Sequence, residues 1–564
     1  MLELILLWGY MLLINIGIGA GVLKLLYWSV GKRGKKIECM WAVMAGVVAI
    51  TVYAEIVSIF YKVGMTAHLI LLVLTACVGW FYRKELQEKA GHLRKILFSW
   101  EGVVYVIIVL IVAFFASRGE QHTDTGIYHA QAIRWYEEYG LVKGLGNLQQ
   151  HFAYNSAGLG YAAVFSMKWL LGRSLHGTNG FLMVLLCVWA LRGLKNVKSH
   201  KSHAGDGCRV GILVYSLVCA ERIMSPATDF STMYLAFYII TQWVRLTEEK
   251  EAVADTEDYG ILCVMAVCAA AYKLSAGILV ILAVYPAVIW IREKQWKKIG
   301  VFFASGLLVL LPYLVRNVFI SGWLIYPFTS IDLFDVDWKV PFELAQYDSD
   351  QIKVWGRCLF DVSKIELGIS EWFPIWWEAK DTYEKMLLIS NLLALVLEAI
   401  FFLHVLWHKR KIPWQWIVLD LAVLGGIAGW FLTAPFIRYG LVFLLSFPLL
   451  AMGRWMESIG NGPARIAAGF VAVLCFLFMC DYWNYYALFD IRWVRSHITD
   501  DAYLLQQDYD EVEVKELQIG TLTVYYPAEG ENISYHAFPA TAYPDMAERI
   551  QLRGEEIRDG FKAK

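Results

Sequence analysis

Asp124 lies in the polar run Ser117–His129, directly after an apolar stretch and at the head of a helix-spaced aromatic stripe of Tyr128, Ala132, Trp135 and Tyr139. A carboxylate so placed can take a proton from a hydroxyl. Three cations stand where apolar runs end: Lys273 in AAAYKLSAG, Arg316 followed by Asn317, and Arg438 in TAPFIRYG. Charges at such positions suit a phosphate, whose oxygens they would neutralise, and the plainer reading is that each anchors a span end. Asp229, in SPATDF, offers a second acid. Helix capping is the simpler role for both acids. His122, His129 and His151 share the loop with Asp124, but their spacing matches no standard metal site.

These residues need a scaffold, and composition names its class. The chain has 564 residues, 58% of them hydrophobic and 15% aromatic, more than a soluble core of this size requires. It reads as an integral membrane protein. Fifty Lys and Arg against 51 Asp and Glu leave no excess of charge that would argue for a nucleic-acid partner. Of the ten cysteines only Cys358 falls well out in a long polar loop, so a disulfide framework is not expected. The N-terminal run lacks a basic leader and reads as a retained first span.

Apolar windows long enough to cross a bilayer fall near 2–23, 38–60, 66–82, 101–117, 175–191, 209–224, 229–246, 259–272, 275–291, 299–316, 386–406, 412–431, 436–452 and 465–485. The expected fold is therefore an all-α polytopic membrane protein of about 14 transmembrane helices. Basic clusters around Lys32–Lys36, Arg83–Lys95, Arg192–Arg209, Arg292–Lys298 and Lys409–Lys411 orient it, all five belonging on the cytoplasmic side. Counting 157–172 as a further span would put one of these clusters outside. Parity instead makes 125–139 and 157–172 two interfacial helices within one outer loop, 118–174, with Lys168 snorkelling outward. The chain then divides into N-terminal accessory helices (1–99), a central helical module (100–317), an extracytoplasmic loop (318–385), further transmembrane helices (386–485) and a small extracytoplasmic α+β segment (486–564), in which LQIGTLTVYY alternates like a strand.

A first large outer loop with Asp near its start, followed by a bundle of spans, resembles the membrane glycosyltransferases of the GT-C superfamily, such as the protein O-mannosyltransferases and the lipid A aminoarabinose transferase. More closely, DTGIYHAQAIRWYEEYGLVKGLGN (124–147), Tyr154-Asn155-Ser156, RNVFISGWLIYPF (316–328), DLFDVDWKVP (332–341) and RGEEIRDGF (553–561) resemble a family of bacterial polytopic proteins. The superfamily resemblance implies Asp124 as general base, an inverting transfer, and a polyprenyl-phosphate sugar as donor, its phosphate held by basic residues at outer helix ends, here Lys273, Arg316 with Asn317, and Arg438. His129 is then expected to bond the donor phosphate or stack in the pocket, Trp135 and Asn155 to line the sugar site, and Asp229 to assist or bind acceptor. Many members carry adjacent acids in this loop; here Thr125 follows Asp124 and the nearest acid is Glu120. No cofactor is required, and a divalent metal has no ligand pattern in its favour.

The expected partners are that donor, a glycan, lipid or protein acceptor, and the bilayer; the expected place is the plasma membrane with the reacting face outside. A polymerase or ligase of surface polysaccharide and a flippase of lipid-linked glycans are the competing readings. Transporters typically show internal repeats and midplane charges, whereas these charges gather at span ends. Asp335-x-Asp337 and Asp348-x-Asp350 match the Asp-x-Asp of nucleotide-sugar enzymes only as a short chance pattern. Glu55, Glu398 and Asp420, inside apolar runs, read either as a proton path or as contacts between helices.

Overall fold

Runs rich in Leu, Ile, Val and Ala become helices in an apolar medium because each backbone N–H must find its acceptor within its own segment. The computed structural model describes residues 1–83, 91, 98–119, 122–195, 202–248, 255–409, 412–459, 461–485 and 503–564. All fourteen apolar windows fall on helices. Among the described residues, seven helices are long and apolar enough to cross a membrane: Leu2–Ser29, Cys39–Phe60, Leu274–Arg292, Trp296–Ser321, Thr382–Trp407, Trp414–Thr433 and Ile437–Glu457. Met65–Phe81, Trp100–Ala116 and Thr178–Leu194 are shorter apolar helices. Only 17% of the most apolar window of Thr382–Trp407 is buried, and 22% of that of Trp296–Ser321. Apolar surface on that scale is stable facing lipid and not water. Thr228–Glu248 is the opposite case, buried without a break from Thr228 to Val244 at the centre of the bundle.

Association of helices in lipid relies on close packing rather than on release of water. Leu2–Ser29 and Cys39–Phe60 meet through glycines: a Cβ on Gly46 would stand 2.1 Å from the Asn15 carbonyl oxygen, and one on Gly19 would stand 1.8 Å from that of Ala42. Asn15, buried there, donates to Tyr161 Oη at 3.0 Å.

The helices alternate between two ends. At one, Lys32 and Lys35 pair with Asp255 and Asp258, Arg245 with Glu38, Lys195 with Glu101, and Lys298 with Glu257. At the other, the start of Thr228–Glu248 and the residue after Thr256–Tyr272 bring Asp229 and Lys273 together. Lys32, Lys35, Lys195 and Lys298, from three of the five basic clusters, are thus engaged in ion pairs at these helix ends. Parts of the clusters at 84–95, 196–201 and 410–411 lie outside the described residues.

The loop 118–174 departs from two helices lying in an interface. Ala157–Val164 is buried at every position, because a helix of Ala, Gly, Leu, Val and one Tyr has no polar face to offer water. Lys168–Leu171 follows as a separate turn with Trp169, Leu170 and Leu171 exposed, and Lys168 pairs with Glu138 instead of reaching outward. Thr125–His129 forms a π-turn that runs into Ala130–Glu138, whose polar face is covered by the C-terminal segment. Gln131 Nε2 donates to the Ala537 carbonyl at 2.7 Å, Arg134 donates to the Tyr535 and His536 carbonyls at 2.5 and 2.6 Å, and Tyr535 Oη donates to Glu137 at 2.5 Å. Gly144, at φ +65°, lets the loop approach so closely that a Cβ would stand 2.0 Å from the Phe561 carbonyl oxygen.

LQIGTLTVYY is not one strand. It turns at Gly520–Thr521, with Gly520 at φ +61°, into the antiparallel pair Val514–Ile519 and Leu522–Pro527, because glycine accepts the turn conformation at no steric cost. Ile550–Leu552 pairs with Phe561–Ala563. The first part of the expected C-terminal segment, 486–502, lies outside the described residues. All ten cysteines are free thiols.

Gly46→Ala is expected to destabilise the bundle by about 1–3 kcal/mol through overpacking, read as a lower thermal midpoint in detergent. An unchanged midpoint would mean that the two helices do not rely on this contact.

Candidate functional site

Asp124 opens the π-turn Thr125–His129, a widened turn of a kind common at functional sites. Its own partners fix that turn: Thr125 Oγ1 lies 2.5 Å from Ser225 Oγ, the Gly126 carbonyl accepts the amides of Ile533 and Ser534 at 3.0 Å each, and Gln149 Nε2 donates to the Ile127 carbonyl at 3.0 Å. The Asp124 carboxylate makes no capping bond. It pairs with Arg438 Nη1 at 3.0 Å, across a gap that leaves the Asp124 side chain 24% and the Arg438 side chain 40% exposed. Beside this pair is a second, Lys273 with Asp229, the ammonium also standing 3.6 Å over the Tyr439 ring. Both acids therefore hold cations, not helix ends.

His122 completes the cluster, its Nδ1 accepting the Asp124 amide at 3.2 Å and its Nε2 lying 3.3 Å from Arg438. Burial acts against every charge here. It would raise the Asp124 carboxyl, but Arg438, followed by His129, His122 and Lys273, outweighs it and holds the group down at about 2. Burial lowers His129 to about 3 and His151 to about 4, the nearby Asp124 only partly opposing, so both imidazoles are neutral at physiological pH. His129 Nδ1 is buried with no hydrogen-bond partner among the described residues.

A cavity of about 450 Å³ opens next to these charges and shares His129, Lys273 and Tyr439 with them. Aromatic rings including Tyr128, Tyr154, Tyr272, Tyr313, Tyr326 and Trp430 form part of its wall, and one flank is made by Leu274, Ile278, Gly425, Gly429 and Thr433. That flank belongs to the candidate membrane-crossing helices Leu274–Arg292 and Trp414–Thr433, and Leu274, Gly429 and Thr433 are exposed on the bundle surface. The cavity thus joins a charged pole to an apolar side wall.

Of the other expected site residues, Arg316, Asn155 and Trp135 contribute to the cavity wall with their side chains already engaged, and Asn317 does not line it. Arg316 is 2% exposed, and its charge is already answered by Glu55 at 3.6 Å, with further bonds to Ser58 at 2.7 Å and Asn155 at 3.1 Å and with Tyr136 under its guanidinium. It is not at an open helix end. Asn155, at φ +45°, donates to Asn317 Oδ1 at 2.8 Å, and Asn317 donates to the Leu324 carbonyl at 3.0 Å, so both tie the helix terminus to the loop. Trp135 reaches the cavity edge but packs its ring on Phe538, centroids 4.7 Å apart. Glu55 is a partner of Arg316, while Glu398 and Asp420 both hold Arg454, so the three acids form two separate helix-to-helix contacts and no continuous path. Asp337 is engaged by Arg553 at 2.9 Å. Glu120 lies outside the described residues. Among the described residues no group of three His, Cys, Asp or Glu converges as metal ligands would.

A family model for a domain of unknown function, DUF8201, matches residues 1–445. The chain belongs to the DUF8201 family. The matched span contains Asp124, Asp229, Lys273 and Arg438 and every residue lining the cavity, whereas the hairpin at 514–527 lies beyond it. No curated protein and no solved structure matches the DUF8201 chain.

One residue of the DUF8201 site carries weight that a short motif did not reveal. Asp348, 1% exposed on the helix Phe342–Gly356, accepts from Tyr154 Oη at 3.0 Å and Gln150 Nε2 at 3.3 Å. Burial raises its carboxyl to about 6, the Tyr154 and Tyr326 hydroxyls opposing. Folded protein thus holds this proton more tightly than unfolded chain does. Stability falls as pH rises from about 4 to about 6 and stays lower above that, by roughly 3 kcal/mol. Asp348→Asn, which cannot ionise, is expected to raise the thermal midpoint at about pH 7.5 and to leave it nearly unchanged at about pH 4.5. A lower midpoint at the higher pH would show that the ionised carboxyl is stabilised by its surroundings.

Proposed function

We propose that the chain is a polytopic membrane glycosyltransferase of GT-C-like architecture, with about 14 spans, that moves a sugar from a polyprenyl-phosphate donor to a glycan, lipid or protein acceptor. The observation that carries this reading is the cavity with its neighbours: Lys273 in its wall and the two acid–cation pairs beside it, a chamber with many aromatic rings, and an apolar flank on helices suited to lipid. A lipid-linked sugar has the same order of parts: phosphate, sugar ring, hydrocarbon chain. The reading puts the reacting face outside the plasma membrane, because the clustered Lys and Arg residues at the opposite end belong inside.

In this reaction the acceptor oxygen bonds to the anomeric carbon as its proton passes to Asp124. The bond from that carbon to the phosphate oxygen breaks on the opposite face, giving inversion. The electron pair leaves on the phosphate, where Arg438 and Lys273 neutralise it. The four charges already sum to zero, so an arriving phosphate must draw Arg438 from Asp124. Relieved of its main partner, the acid is left with burial as the dominant influence, and its affinity for a proton rises. Donor binding thereby readies the base. Arg316 holds the chamber wall and takes no part in the charge transfer. A flippase is less well supported, since the paired charges cluster at one end and not at the midplane.

Transfer of labelled sugar from undecaprenyl-phosphate glucose, mannose, galactose and arabinose, by full-length protein in proteoliposomes with cell-envelope acceptors, tests this. Asp124→Asn is expected to lower turnover by about 10²–10⁴ while retaining donor binding, and Arg438→Gln to weaken donor binding about tenfold or more. Normal turnover by Asp124→Asn would sink the proposal. The acid limb of kcat is expected at higher pH than that of kcat/KM for the donor, because kcat reports the acid after the donor phosphate has taken its cation. Coincident limbs would remove the donor-triggered step.

A further inference from the structure

At the charged pole the hydrogen bonds of His122 do not balance. A neutral imidazole has one N–H and one acceptor nitrogen, and an imidazolium has no acceptor at all. Both ring nitrogens of His122 nevertheless face donors: Nδ1 lies 3.2 Å from the Asp124 amide, and Nε2 lies 3.3 Å from Arg438 Nη1. Neither an amide N–H nor a guanidinium accepts. Whichever nitrogen carries the proton, its N–H points at another N–H.

The backbone decides which nitrogen that is. The Asp124 amide is fixed by the turn, in which the Thr125 amide donates to the His122 carbonyl at 2.8 Å, so Nδ1 is the acceptor and the ring proton sits on Nε2. Packing then holds the ring in place. His122 is 7% exposed and stands between His129 and an edge-on Phe230, with centroids 6.2 and 6.3 Å away. Burial lowers its affinity for a second proton, Asp124 opposing and Arg438 reinforcing. The neutral ring therefore meets Arg438 donor to donor, a costly arrangement for a buried N–H. Asp124 Oδ2 does not relieve it: it pairs with Arg438 at 3.0 Å and, among the described residues, makes no hydrogen bond to Nε2.

One oxygen that only accepts would turn this conflict into two bonds. The Arg438 side chain, 40% exposed, has room to give way to it, and Lys273 stands nearby as a further cation. We propose that His122 is a phosphate-binding residue, its Nε2–H and the Arg438 guanidinium donating together to one phosphate oxygen. This deepens the transferase reading and takes the class of anion from it; the unmatched donor stands apart from that reading. One ring thereby sets both reacting parts, Nδ1 holding the backbone of the acid and Nε2 the group that leaves.

Asparagine is the discriminating replacement, because its side-chain oxygen accepts the amide two residues on, as Nδ1 does, and places no donor where Nε2 lies. His122→Asn is expected to keep or raise the thermal midpoint of the ligand-free protein and to weaken dodecyl phosphate binding about tenfold, read by 31P NMR titration of the full-length protein in phosphate-free detergent. Binding within about twofold of the unmodified protein, or no phosphate binding by the unmodified protein, overturns the proposal. Ring-15N NMR of the unmodified protein does not depend on how a variant folds. The imidazole in contact with the Phe230 ring is expected in the Nε2–H form, that proton moving downfield when dodecyl phosphate is added. A proton on Nδ1, or no movement, overturns the proposal equally. Inorganic phosphate binding as tightly as dodecyl phosphate assigns the site to free phosphate, and weaker binding assigns it to a lipid phosphate; either upholds it. His122-dependent phosphate binding in a protein that transfers no sugar from any polyprenyl phosphate would uphold the site and remove the transferase. Full transfer by His122→Asn at an unchanged donor KM would do the reverse.

Discussion

The pairing of Arg438 with Asp124 is the constraint around which the site is arranged. It joins a loop that follows the Trp100–Ala116 helix to the start of Ile437–Ile459, segments far apart in sequence. Neither charge would be stable alone in that setting. Lys273 and Asp229 repeat the arrangement alongside, so the pole of the cavity carries four formal charges and no net one. Such a cluster is strained toward exchange: any anion that enters must take a cation from an acid, and any cation must take an acid from a base. Arg316, closed in by Glu55, Tyr136, Ser58 and Asn155, shows the alternative in which the partners are complete and the charge serves the scaffold.

Positioning of Asp124 comes from three directions. Ser225, on the turn before Thr228–Glu248, holds Thr125. Gln149, within the same loop, holds Ile127. The amides of Ile533 and Ser534, from the C-terminal segment, hold Gly126. Around these bonds Trp135, Leu148, Phe152, Trp323, Val524 and Phe561 form a second core, separate from the one between the long helices. The DUF8201 match ends before this C-terminal segment, yet the turn that carries the acid is bonded to it.

What could be read from sequence follows from which properties are local. A helix in an apolar medium is written in its own composition, so every apolar window fell on a helix. A charge at the end of an apolar run is also local, and that is how Asp124, Asp229, Lys273 and Arg438 were singled out before their meeting was visible. Arg316 met the same criterion, but its partner Glu55 belongs to the Cys39–Phe60 helix and no local pattern pairs the two. Asp348 is hidden for a related reason: a short acidic motif says nothing about the burial of its first member against Tyr154 and Gln150. Parity, length and Lys168 assign 157–172 to the interface, whereas the small side chains of Ala157–Val164 suit the enclosure within the protein that is observed. The hairpin at Gly520 was missed because alternation continues through a two-residue turn, and only the glycine marks it.

The dependence of Gly126 on Ile533 and Ser534 has a consequence for biogenesis. Chains are made from the N-terminus, so helices up to Ile437–Ile459 can assemble while the last residues are still on the ribosome. During that interval the turn bearing Asp124 lacks the amides that fix it. The turn is therefore completed last, as a closing step of synthesis, and a truncated product that inserts and packs normally would still lack the two amides that fix it.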